Sequence, residues 1–218
     1  MRTVRNDSFR YNKRSFESPV LILVEGADEF QFLRFLLPSE DIQIHVYGGK
    51  DRLKAVLETI PSIEGYSKIR KVVIMRDGDQ NPQGALQSVL SQWANAFKAT
   101  PPQVQTEEWF SDAKGCLWCV WIIPYEGQEG DLETLLWHAV PVSEHRLCVE
   151  EFMRCFEESK LPIQSHTKAR LYTWLVTQND LVKDLYAAFD KRRKPPLFRS
   201  DNPVFERLHT LMEQLRNI

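Results

Sequence analysis

At 218 residues and 25.5 kDa the chain can bury a sizeable core, as one large domain or as one domain with a helical extension. Hydrophobic residues at 43% and charged residues at 27% are ordinary globular proportions. A net charge of −2 excludes a whole-molecule pull toward nucleic acid or membrane, so any polyanion site must be a local patch.

Residues 1–18 interleave Arg2, Arg5, Arg10, Lys13 and Arg14 with Phe9, Tyr11 and Phe16. Such an arm can line a nucleic-acid path or form a terminal arm or edge strand. Val20–Val24 is an unbroken apolar run ending on Glu25-Gly26, as expected of a strand covered on both faces. It is too short for a signal-peptide core or a membrane span, which predicts a cytoplasmic protein with no membrane contact.

Asp28–Leu37 has helical spacing and is ended by Pro38; Ile42–Val46 alternates like a strand; Gly48-Gly49-Lys50-Asp51 reads as a turn, and Asp51–Ile60 as a helix. The same grammar recurs with Lys71–Met75 as strand, Asp77–Pro82 as loop and Gln83–Lys98 as helix. This spacing predicts right-handed crossovers and a parallel sheet of about four strands. The last strand is Cys116–Ile123, whose Trp118 and Trp121 must face opposite sides.

Asp131 is placed to cap a helix through Trp137, and helices are predicted at about 144–159, 166–177, 179–190 and 203–216. The expected organisation is therefore an arm over 1–18, a Rossmann-like α/β domain over 19–140 and an all-helical region over 141–218. Cys116 and Cys119 have the gap of a zinc knuckle, but Cys148 and Cys155 do not, so reduced, largely buried thiols are expected. The five histidines form no ligand spacing.

In Val72-Val73-Ile74-Met75-Arg76-Asp77-Gly78-Asp79 an apolar run stops on two carboxylates. If the segment stays extended, Asp77 and Asp79 point the same way and can face one Mg²⁺, which takes hard oxygen ligands and keeps waters and phosphate. With Glu25 ending a neighbouring parallel strand, three acids meet at one sheet edge; the plainer reading is an acidic turn and helix caps.

Three motifs together resemble the Toprim domain, the metal-binding α/β module of topoisomerases, bacterial primases, recombination-mediator proteins and overcoming-lysogenization-defect nucleases. They are Val24-Glu25-Gly26-Ala27-Asp28-Glu29, Asp77-Gly78-Asp79 and Gly130-Asp131-Leu132-Glu133, the last similar to small stand-alone Toprim proteins. The resemblance spans about residues 19–137, and through Gly48-Gly49-Lys50 and Lys168 most of the chain. It implies a Mg²⁺- or Mn²⁺-dependent phosphodiesterase acting on DNA or RNA. Glu25, Asp77 and Asp79 would hold metal, with Glu29 and Glu133 as further ligands. Glu25 would also move a proton, and Lys168 would assist.

Lys50 and the connector Lys191-Arg192-Arg193-Lys194 are candidates for phosphate contacts, although a solvated connector accounts for the latter equally well. Two other readings stay open. One is a module that binds metal and nucleic acid, or a protein partner or second copy, without turnover; the other is an aspartyl-phosphate phosphotransferase using Asp77.

Overall fold

Every residue of Val20–Val24 (β1) is buried, as a doubly covered strand requires. The structure, a computed structural model, describes residues 14–37, 42–125, 127–160, 162–178, 182–190 and 192–216. β1 lies between two parallel neighbours, Ile42–Val46 (β2) and Lys71–Asp77 (β3). Trp109–Ser111 (β4) and Leu117–Ile123 (β5) complete the sheet, β5 parallel beside β3 and β4 antiparallel at the edge. The order is β2-β1-β3-β5-β4: the four expected parallel strands plus one short antiparallel strand that the sequence pattern did not announce.

Helices cover both faces. Ala27–Leu36 (α1) follows β1 and packs Phe32, Leu33 and Leu36 on the face carrying Val20, Ile22 and Val24. Leu53–Thr59 (α2) and Pro82–Phe97 (α3) pack on the opposite face, against Leu21, Leu23, Val72 and Ile74. The connection from β1 to β2 runs one way across the sheet and those to β3 and β5 run the other, so a change of face is what a constant crossover hand demands. Trp118 and Trp121 fall in the two different cores, as alternation predicts.

The later helices are Leu132–Ala139 (α4), Glu144–Glu158 (α5), His166–Val176 (α6), Leu185–Ala188 (α7) and Glu206–Arg216 (α8). The helix expected over 179–190 is confined to α7, which Asp184 caps through Ala187 N–H (2.8 Å); residues 179–181 lie outside the described residues. Met153, Trp174, Phe205 and Leu211 join the core that contains Val24, Val73 and Trp121, so the C-terminal helices complete one face of the sheet.

Of the arm, residues 1–13 lie outside the described residues; Ser15 bridges to Glu64, and Phe16 is buried. Gln43 on β2 ties this segment down, donating to Ser15 O (3.1 Å) and accepting from Glu17 N–H (3.2 Å). Cys116 and Cys119 are buried in opposite cores, which rules out a shared knuckle, whereas Cys148 and Cys155 are exposed, against the expectation of largely buried thiols. Among the described residues no helix is long and apolar enough to cross a membrane.

Candidate metal centre

The direction of connection reverses between β1 and β3, and open α/β sheets bind ligands in the crevice beyond their strand ends at such a point. Glu25 follows β1 immediately, and Asp77 is the last residue of β3. Both acids therefore stand at the crevice, as the apolar runs before them predicted.

Asp77 turns toward α4, where its Oδ1 accepts the Leu132 N–H (3.2 Å). Burial, then the carboxylates of Glu29, Asp131, Glu25 and Glu133, push the Asp77 carboxyl up to about 8. Asp77 is thus the point where acids from α1, α4 and the end of β1 meet. Burial likewise raises Glu25, against the pull of Lys50 and Arg76. Its Oε2 is buried without a hydrogen-bond partner among the described residues.

Asp79 departs from the extended geometry expected of Asp77-Gly78-Asp79. Its φ is +49°, and its N–H and carbonyl exchange hydrogen bonds with Gly130 (2.7 Å each). This small antiparallel bridge turns the chain after Asp77, so the two side chains are not ranked on one extended face. Asp79 instead pairs with Lys50, which follows the two positive-φ glycines Gly48 and Gly49. Gly78 is dictated by packing: an added Cβ would come within 3.1 Å of Ile122 Cγ2 and Ile123 O.

The remaining acids divide by role. Glu29 bends back onto its own helix start, Oε2 accepting the Gly26 N–H (2.8 Å), and burial pushes it up to about 7. That bond gives it the capping role that a first-turn acid commonly has. Asp131 caps α4, accepting from Thr134 N–H (3.0 Å). Glu133 is only 5% exposed and pairs with Lys168 Nζ at 3.3 Å.

Burial raises the Glu133 carboxyl more than Lys168 lowers it. Burial alone would lower Lys168, but Glu133 and Asp131 more than offset this and hold it above its usual value. The unfavourable place of a lysine in the first turn of α6 is thereby explained by an acid on α4. Lys168, Asp79, Asp131, Thr134 and His166 line a cavity of about 950 Å³ beside the acids.

Lys191 lies outside the described residues. Arg192 is turned onto Asp190 (2.8 Å), and Arg193 and Lys194 follow it on the connector after α7. Two residues not among the expected site residues also enter the site. Asp131 adds charge beyond its capping role, and Arg76, 8% exposed, donates to Ser88 Oγ (3.0 Å) while its Nε has no partner among the described residues. The signal for Arg76 was available, since a cation interrupts an otherwise apolar run one residue before Asp77.

Among the described residues no three histidine, cysteine, aspartate or glutamate side chains form a ready-made metal cage. Magnesium needs none, because it binds through one or two carboxylates and completes its shell with water and phosphate. The orphaned Oε2 of Glu25 and the mutual repulsion centred on Asp77 are what a divalent cation would relieve, so the donor set fits. Asp79 and Glu133 would join only by giving up Lys50 and Lys168.

The chain belongs to the family described as Protein of unknown function (DUF3226), whose model matches residues 19–217. The match runs through sheet and C-terminal helices alike, in keeping with their shared core. No curated protein and no solved structure matches the sequence.

Proposed function

We propose that this DUF3226 member is a cytoplasmic, Toprim-type, metal-dependent phosphodiesterase acting on nucleic acid. The observation that carries the reading is the crowding of carboxylates around Asp77 at the switch point between β1 and β3. Glu25 and Asp77 would hold Mg²⁺ or Mn²⁺, joined by Asp79 once Lys50 moves from it. The bound ion would polarise the phosphodiester and lower the pKa of a coordinated water.

The protein's own groups do the rest. Glu25, its pKa raised by burial, accepts the proton of the attacking water at its other carboxylate oxygen, Oε1, as the water oxygen bonds to phosphorus and the bond to the leaving nucleotide oxygen breaks. Lys168, held by Glu133 at the rim of the large cavity, meets a non-bridging phosphate oxygen.

The test is incubation of the protein with plasmid, single-stranded DNA and RNA in Mg²⁺ or Mn²⁺ beside Asp77→Ala/Asp79→Ala. Cleavage should fall by about a hundredfold or more in the variant, since even outer-shell changes cost roughly 10–100-fold. Cleavage unaffected by the double substitution, or none by either protein, overturns the reading. The ion pairs of Lys50 and Lys168 with two of the acids favour a second reading, a binding module without turnover; binding of nucleic acid with no hydrolysis would establish it.

Lys50→Ala separates competition from cooperation at Asp79. The pair is half exposed and so worth roughly 0.2–1 kcal/mol. Isothermal titration with Mn²⁺ should therefore show binding tighter in the variant by up to about fivefold. Weaker binding would mean that Lys50 supports the metal instead of competing with it.

A further inference from the structure

Along α1, away from the carboxylates, lies a second cavity of about 450 Å³, lined by Gln31, Arg34, Phe35, Tyr186, Phe189 and Arg192 among others. Gln31 and Phe35 are three and seven residues beyond Asp28, so a rise of about 1.5 Å per residue puts them roughly 5–10 Å from the acidic end of α1. Asp184, which caps α7, also lies near enough for its charge to raise Asp28. The cavity therefore lies along the same helix whose first turn carries Asp28 and Glu29.

Its walls combine two kinds of group. Phe35 and Phe189 stack at 5.3 Å and 25°, and Tyr186 on the same cavity wall is 67% exposed. Arg34 and Arg192 supply two guanidinium groups against one acid, Asp190, which fixes the Arg192 fork through Nε (2.9 Å) and Nη2 (2.8 Å). An exposed tyrosine ring beside arginines suits an unpaired base and its phosphate, whereas the bases of a duplex are already stacked on one another.

We infer that the cavity between α1 and α7 is a subsite for one unpaired nucleotide of a single-stranded substrate, its base stacking on Tyr186 and its phosphate held by Arg34 and Arg192. The subsite rests on the nucleic-acid reading above and narrows it to single strands. It needs neither metal nor hydrolysis, which allows the two to fail separately.

The experiment measures fluorescence anisotropy of labelled oligothymidylate, oligouridylate and a duplex with full-length protein in EDTA. Tyr186→Ala should weaken single-strand binding about fivefold or more, Tyr186→Trp should restore it, and duplex binding should change less than about twofold. Arg34→Gln should flatten the salt dependence on single strands by about 0.7 in slope. Unchanged single-strand affinity in Tyr186→Ala, equal losses on single strand and duplex, or no binding of any probe by the wild type overturns the subsite. A wild type that binds single strands through Tyr186 but cleaves nothing in Mg²⁺ removes the phosphodiesterase and keeps the subsite. A preference for oligothymidylate or oligouridylate identifies DNA or RNA as the source of the strand.

Discussion

An Asp77→Asn variant held in chelator at about pH 8 should unfold at a higher temperature than the wild type, by roughly 5–10 °C, while losing its response to Mn²⁺. In the folded protein, burial and the surrounding acids push Asp77 up to about 8, far above the ordinary aspartate value that applies to the unfolded chain. The folded state therefore holds a proton that the unfolded state releases. Stability linked to this group is full below the unfolded value and is lost as pH rises toward about 8.

A shift of this size sets an upper limit of several kcal/mol, and sharing of the proton among coupled acids reduces it to about 2–3 kcal/mol. For a chain of this length each kcal/mol moves the midpoint by about 2–4 °C. Calorimetry at about pH 5 and about pH 8 reads the effect directly. The wild type should lose more stability than Asp77→Asn between the two, and Mn²⁺ should restore the wild type alone. Parallel pH dependence in the two proteins would place the repulsion elsewhere than Asp77.

The acids at the strand ends were legible because of what precedes them. A strand covered on both faces must be apolar, so Glu25 and Asp77 can lie only where β1 and β3 emerge from the sheet. Periodicity likewise placed α1, α3, α5 and α6 to within a few residues. What local pattern could not carry were pairings between distant segments. The turn at Asp79 is imposed by Gly130, and β4 exists because Trp109, Phe110 and Ser111 find partners on β5. Neither segment differs locally from an extended loop.

The same limit applied to the charges. Glu29 and Glu133 are both acids of a first helical turn, and sequence offered the same two roles for each. The difference lies in the partner, a Gly26 N–H for one and a lysine from α6 for the other. The C-terminal helices were correctly expected as helices, but their apolar stripes do not reveal that they complete the core on the α1 side of the sheet. Three-dimensional closure, not propensity, decides that question.

That closure makes the Glu133–Lys168 pair the most exacting test of the site, because structure and function make different demands on it. Lys168→Ala leaves Glu133, 5% exposed, without its cation, and an uncompensated buried charge is costly. Breaking a buried pair costs roughly 3–5 kcal/mol, but the Lys168 side chain is 51% exposed and solvent screens it, so about 1–2 kcal/mol is expected, measured by urea unfolding at neutral pH.

Glu133→Gln in the same chain removes the stranded charge and should recover most of that loss. If Lys168 serves only to neutralise Glu133, the double variant recovers hydrolysis together with stability. If Lys168 meets the phosphate, as proposed, the double variant regains most of the stability and still cleaves at least about tenfold more slowly, the loss of about 1.4 kcal/mol of transition-state interaction. Recovery of stability with full activity would remove Lys168 from the chemistry and leave it as the counter-ion that lets α6 settle against α4.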